Sequence, residues 1–267
     1  MRVGIVQLTS TDDVEANLAS AEGFVREAAA AGARLVALPE NFAFLRREGA
    51  PIPCAQGLDG EIVGRMRALA RELGVWILGG SFPEARPGER RVGNTSVLLD
   101  DAGAVRAVYR KIHLFDVDLR AQGGGAYAES ERIVPGEAVV VADTPLGRLG
   151  LSICYDLRFP ELYREHARRG ARLLAVPSAF TPQTGKDHWE VLLRARAIEN
   201  QAYVLAPAQC GRHSDVRASH GRSMIVDPWG VVLAQAGDRP CAVVADCPDE
   251  VVERVRGSLP ALRHRRL

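Results

Sequence analysis

Lysine is almost absent from this chain. Of its 34 basic residues only Lys111 and Lys186 are lysines, and the rest are arginines. A lysine that survives such a bias is a candidate for work that a planar, permanently charged guanidinium cannot do; the plain alternative is that two lysines survived by chance. Other scarcities exclude whole classes of protein. The formal net charge is only +1, and the one dense basic cluster is Arg263-His264-Arg265-Arg266, so neither nucleic acid nor an anionic membrane is an expected partner. No apolar run approaches the length of a membrane span. The apolar stretch near Met1 is too short, and too soon followed by Thr11-Asp12-Asp13, to be a secretory signal. Cysteines stand at 54, 154, 210, 241 and 247, an odd number without a Cys-x-x-Cys pair. That argues against a disulfide framework and a zinc knuckle, and for a reducing cytoplasm.

What remains is an ordinary globular composition, 47% apolar and 25% charged, with no Pro- or Ser-rich linker. The 267 residues read as one α/β domain, 1–267. Strand-like runs at 3–8, 34–39, 75–82, 95–99 and 105–111 are interrupted by amphipathic helices at 13–31 and 60–73. The second half repeats the alternation. Strands are expected at 148–153, 172–177, 203–208, 223–226, 231–236 and 242–245, and helices at 160–169, 187–201 and 249–259. Between them, residues 116–135 show neither period and read as a long loop, a common place for function.

Cys154 has the most suggestive local context. It follows the strand-like Leu149-Gly150-Leu151-Ser152-Ile153 and precedes Tyr155-Asp156-Leu157-Arg158-Phe159-Pro160, where a helix begins. A strand, a sharp turn and a helix expose a nucleophile and aim backbone N–H groups at an oxyanion. Such a thiol becomes a low-pKa thiolate if a cation lies nearby; the plain alternative is a buried small hydrophobe. No histidine has the context of a partner base: His113 follows a strand and His188 precedes a helix, and each reads as a hydrogen-bonded structural residue. Glu40 is the alternative base, an acid at the mouth of a buried strand in Leu38-Pro39-Glu40-Asn41-Phe42.

Glu40 in Leu-Pro-Glu-Asn-Phe, Lys111 in Tyr-Arg-Lys-Ile-His-Leu-Phe-Asp, and Cys154 in Ile-Cys-Tyr-Asp-Leu-Arg-Phe-Pro-Glu together resemble the three signature segments of the nitrilase superfamily, in order and in spacing. The resemblance covers essentially the whole chain. It implies a four-layer α-β-β-α sandwich that dimerises into an extended sandwich, and a Glu–Lys–Cys triad that hydrolyses carbon–nitrogen bonds without metal or cofactor. Glu40 would be the general base, Cys154 the nucleophile, and Lys111 the oxyanion-stabilising ammonium together with the N–H of Tyr155. Glu129 on the long loop matches a further family acid that orients the lysine; its plain alternative is an exposed loop charge.

The third quarter of the chain, including Pro177-Ser178-Ala179-Phe180, Thr184-Gly185 and Gln209-Cys210-Gly211-Arg212-His213, resembles the branch that hydrolyses deaminated glutathione to 2-oxoglutarate and cysteinylglycine. His220 and Arg222 depart from that branch's usual Tyr and His. A keto-acid amide bears a carboxylate, for which Arg158 offers a bidentate fork; an ion pair with Asp156 or Glu161 is the competing role. Phe180 and Thr184, expected on a loop, would add a wall and a hydroxyl. Lys186 reads as a solvated loop residue. The rivals are an ω-amidase for 2-oxoglutaramate or 2-oxosuccinamate, a general aliphatic amidase or carbamoylase, and a catalytically silent scaffold that keeps the fold.

Overall fold

In the computed structural model, which describes residues 1–47 and 49–266, two six-stranded sheets lie face to face. The first is built from β1 (Arg2–Gln7), β2 (Leu35–Ala37), β3 (Trp76–Glu84), β4 (Gly93–Leu99) and β5 (Val105–Arg110). Helices α1 (Val14–Ala30) and α2 (Glu61–Leu73) form its crossovers and pack on its outer face. Asp13 caps α1 through the N–H of Ala16, and Gly74 ends α2 in the left-handed conformation.

Residues 116–135 are less irregular than their sequence suggests. They fold as a small antiparallel hairpin, β6 (Asp116–Asp118) and β7 (Ala126–Ala128), flanked by 3₁₀ turns. The second sheet follows with β8 (Val141–Thr144), β9 (Gly147–Leu151), β10 (Leu173–Ala175) and β11 (Tyr203–Ala206), with helices α3 (Pro160–Arg168) and α4 (Pro182–Asn200) between strands. A small hairpin, β12 (Cys210–Arg212) and β13 (Ala218–His220), precedes β14 (Met224–Val226) and β15 (Val232–Gln235), which complete the sheet. The chain then returns to the first sheet through β16 (Cys241–Asp246), antiparallel to β1, and ends in α5 (Asp249–Ser258). The strand orders are β16-β1-β2-β3-β4-β5 and β15-β14-β11-β10-β9-β8.

Side-chain alternation makes the layers. Val3, Ile5, Leu35, Ala37, Leu78 and Leu98 face the second sheet, whereas their neighbours Val6, Val36, Leu38, Ile77, Val97 and Leu99 face α1 and α2. The first sheet is thus buried on both faces, which is why its strands read as unbroken apolar runs rather than alternating ones. With α3 and α4 packed beside the second sheet, the result is the expected four-layer α-β-β-α sandwich.

One expected boundary needs correction. Helix α4 starts at Pro182, not near 187, because Thr181 caps it and proline suits its first turn. Thr184 and Lys186 therefore lie on a helix rather than a loop. β8 and the β12–β13 hairpin had no separate signal, each being only three or four residues long.

Candidate active site

The two sheets are stitched together at one end. The N–H of Leu8, just beyond β1, donates to the carbonyl of Ala208, and the N–H of Cys210 donates back to Leu8, at 3.3 and 2.7 Å. At this end β2 and β9 deliver their last residues and the chain after β5 turns inward. Glu40, Lys111, Glu129, Cys154, Tyr155, Arg158, Phe180 and Thr184 all line one cavity there.

Glu40 is fixed through its backbone. Its carbonyl accepts from Gln209 Nε2 at 3.0 Å, and the next N–H, that of Asn41 in a left-handed conformation, donates to Ser81 Oγ at 2.9 Å. This turn sits so close to β3 that only glycine fits beneath it: a Cβ on Gly80 would lie 1.9 Å from the Pro39 carbonyl oxygen.

Lys111 follows β5 and is 2% exposed. Its Nζ donates to Glu40 Oε1 at 2.9 Å and to both oxygens of Glu129, at 3.1 and 2.9 Å. Burial would lower the ammonium's pKa, but the charges of Glu129 and Glu40 outweigh it and hold it well above the ordinary lysine value. Glu129 is anchored in turn by the N–H of Phe115 at 2.7 Å, and is a buried-site acid rather than an exposed loop charge. Asn94 on β4, which the sequence reading missed, bridges the two acids through Nδ2, 2.9 Å from Glu40 and 3.2 Å from Glu129.

Cys154 arrives from the other sheet. Its φ of 48° is a left-handed conformation that non-glycine residues avoid, and it opens a 3₁₀ turn, Cys154–Arg158, ahead of α3. The thiol is 8% exposed. Burial pushes it well above its ordinary pKa, and the charge and hydrogen bond of Glu40 push it further, against the opposing effects of Lys111 and the N–H of Ala179. Burial and Glu40 thus outweigh Lys111, and the thiol is shifted up, opposite to the low-pKa thiolate that a nearby cation suggests.

Asp156 couples the two halves. Fully buried, it accepts from Tyr109 Oη at 2.6 Å, from the N–H and Nδ1 of His113 at 3.0 and 2.7 Å, and from the N–H of Ile153 at 2.8 Å. Tyr109 and His113 flank Lys111, and Ile153 precedes Cys154, so one carboxylate ties the lysine segment to the nucleophile turn. His113 also stacks on Phe159, ring centres 3.6 Å apart, which fits its structural reading.

Because Asp156 is so occupied, Arg158 has no ion pair with it or with Glu161. Its guanidinium lies 5.3 Å from the Phe180 ring centre and 5.8 Å from that of Tyr155, and hydrogen-bonds His188 Nδ1 at 3.1 Å. Phe180 packs on Trp189, and Thr184 bonds Thr181 in the first turn of α4. The other lysine, Lys186, is largely exposed beside Asp187. Among the described residues no group of three His, Cys, Asp or Glu side chains is arranged to hold a metal ion, and no helix is long and apolar enough to cross a membrane.

Known proteins are similar to this chain across nearly its whole length. A deaminated glutathione amidase of Synechocystis is 45% identical over 263 residues, 97% of this chain and 96% of the relative. The crystal structure of Saccharomyces cerevisiae Nit3, a member of branch 10 of the nitrilase superfamily, superposes with a TM-score of 0.87 at 32% identity, covering 100% of this chain and 97% of the other. A glutamate-to-glutamine mutant of the amidase from Nesterenkonia sp. AN1, 29% identical with a TM-score of 0.79 over 100% of this chain and 94% of its own, shows covalent addition of the acetamide moiety of fluoroacetamide at its active site cysteine. The carbon-nitrogen hydrolase family model matches residues 2–256, and with that match, the shared fold and the relatives' similarity, the chain belongs to the carbon-nitrogen hydrolase family.

Proposed function

We propose that the chain is an amidase that hydrolyses deaminated glutathione to 2-oxoglutarate and cysteinylglycine through a thioester on Cys154. The observation that carries the reading is a buried Cys154 in the same cavity as Glu40, with Lys111 held on both Glu40 and Glu129. The relatives named deaminated glutathione amidase, at 45% identity from Synechocystis, direct it to this substrate.

Each residue type has a task in this mechanism. As Sγ bonds to the amide carbonyl carbon, its proton passes to Glu40. The carbonyl oxygen becomes an oxyanion that the Lys111 ammonium and the Tyr155 N–H stabilise. Glu40 then gives its proton to the departing nitrogen as the carbon–nitrogen bond breaks, leaving the thioester and free amine. Water, deprotonated by Glu40, adds to the thioester carbon. Collapse of that adduct releases the carboxylic acid, and the proton held by Glu40 returns to Sγ. Glu129 and Asn94 keep the lysine and the base in register. Arg158, free of acidic partners, is placed to bind the keto-acid carboxylate, with Phe180 as a wall and Thr184 as a hydroxyl nearby.

The same proposal takes the chain as one domain working as a homodimer in the cytoplasm, on a small carboxylate-bearing amide and with no cofactor. For the dimer, Val191 and Ile198 on α4 lie exposed with Trp229 and Val231 at the β14–β15 turn, where Ile198 packs beneath Gly230. For the compartment, all five cysteines are free.

The deciding experiment is intact-mass analysis after mixing with deaminated glutathione, alongside turnover. Wild type is expected to show a transient adduct of the keto-acyl mass, and Cys154→Ala neither adduct nor turnover. Unchanged hydrolysis by Cys154→Ala would sink the mechanism, and a preference for 2-oxoglutaramate would move the enzyme to the ω-amidases.

A further inference from the structure

Besides Lys111, the cavity is lined by arginines that come from different elements. Arg158 stands among Tyr155, Phe180 and His188. Arg132 and Arg217 also line this cavity, and both reach toward the segment leading from the end of β2 to α2. Arg217 Nη1 donates to the carbonyl of Arg46 at 3.3 Å, and Arg132 Nη2 to that of Gly49 at 3.4 Å. Carbonyl oxygens hold a guanidinium in place but leave its charge uncompensated. Neither arginine forms an ion pair among the described residues, in a molecule where Arg2, Arg26, Arg65, Arg110 and Arg172 all do.

Among the described residues no acid lining the cavity is left to serve them. The only carboxylates lining it, among the described residues, are Glu40 and Glu129, and both are spent on Lys111. Unpaired guanidiniums on a concave wall focus positive potential into the space between them. Each keeps several N–H donors for an anion, in the fork geometry that suits a carboxylate. Arg158, four residues beyond the nucleophile and on the same turn, serves the acyl half of a substrate. Arg132 and Arg217 belong to different elements, the segment after β7 and the β12–β13 hairpin.

We propose that Arg132 and Arg217 form a second carboxylate subsite, which binds the free carboxylate of the departing amine and so selects amides that are charged at both ends. This rests on the reading of the chain as an amidase for a keto-acid amide, and extends it to the leaving group. Cysteinylglycine carries such a carboxylate at its glycine end; ammonia, the leaving group of 2-oxoglutaramate, carries none.

The test compares three substrates on the full-length enzyme: deaminated glutathione, its analogue with the glycine carboxylate converted to a primary amide, and 2-oxoglutaramate. Wild type is expected to favour the free acid over the amide analogue by about tenfold or more in kcat/KM, mostly through KM, equivalent to about 1.4 kcal/mol. In Arg132→Gln/Arg217→Gln that preference falls to near one, and the ratio of kcat/KM for deaminated glutathione over 2-oxoglutaramate falls with it. Each single variant is expected to show part of the loss, so the result does not depend on the double variant folding. Added salt should erode the preference in wild type more than in the double variant.

A wild-type enzyme that hydrolyses deaminated glutathione and its amide analogue equally well overturns the subsite and leaves the amidase reading standing. So do variants that keep the preference. A wild-type enzyme that turns over 2-oxoglutaramate but not deaminated glutathione overturns the substrate, and the subsite with it.

Discussion

The two sheets contribute to the cavity in different ways. The first sheet and the hairpin after it supply charge: Glu40, Lys111 and Glu129 form a closed ion-paired cluster, bridged by Asn94, in which each charged group has a partner. The second sheet supplies geometry, a buried cysteine in a left-handed turn, with the Arg158 guanidinium at the end of that turn. Neither half is a catalyst alone. A buried ion-paired lysine is stable without doing anything, and a buried thiol with a raised pKa is inert. Chemistry needs the docking of one sheet on the other, and buried Asp156 fastens that contact from both sides.

If that division is right, substitutions on the charged half should stop the reaction without disturbing the turn. Glu40→Gln has the largest expected effect: amide hydrolysis falls by up to ~10⁴-fold, the upper range for loss of a general base. The same change removes the negative charge that raises the thiol, leaving Lys111 beside it. The pH midpoint for acrylamide labelling of Cys154 should therefore move down relative to wild type, while hydrolysis is lost. A midpoint that stays put or rises would mean that burial alone holds the thiol up.

Lys111→Arg comes next. A guanidinium cannot place one compact charge on both acids and on the oxyanion, so kcat should fall about 10²–10³-fold, as for loss of an oxyanion donor, with the fold intact by circular dichroism. Near-normal turnover would refute the distinction between the two cations.

The smallest effect is expected at the join itself. All four groups around Asp156 act as donors to a carboxylate, and an asparagine would turn an N–H₂ toward one of them. Asp156→Asn should lower kcat about tenfold with little change in KM, and should cost about 1–3 kcal/mol of stability for the donor left unsatisfied. Tyr109→Phe, which removes a single bond, should do less of both. If Asp156→Asn lowers stability but leaves kcat unchanged at a temperature where it is folded, the carboxylate holds the sheets together without setting the geometry of the site.

Much of this was legible in the chain. Glu40, Lys111 and Cys154 each follow or end a strand-like apolar run, and Pro160 marks the helix after the nucleophile turn. Asn94 gave no signal because it stands between Gly93 and Thr95-Ser96, just before the strand expected at 95–99, and nothing local sets it apart from its polar neighbours. Asp156 stood in view but only as a neighbour for Arg158, since the sequence does not show that Tyr109 and His113 reach it first.

By itself the sequence determined the order of the main elements and marked a candidate nucleophile, a candidate acid and a candidate lysine in three separate segments. These are properties of near neighbours, set by side-chain periodicity and turn chemistry. Tertiary structure decided what those residues do to one another. Lys111 meets Glu40 across 71 positions and Asn94 meets Glu40 across 54, and no local pattern encodes such contacts. It also decided the direction in which the thiol is shifted and which arginines are left unpaired. Both depend on burial and on the nearest charge, and these exist only once the two sheets have closed on each other.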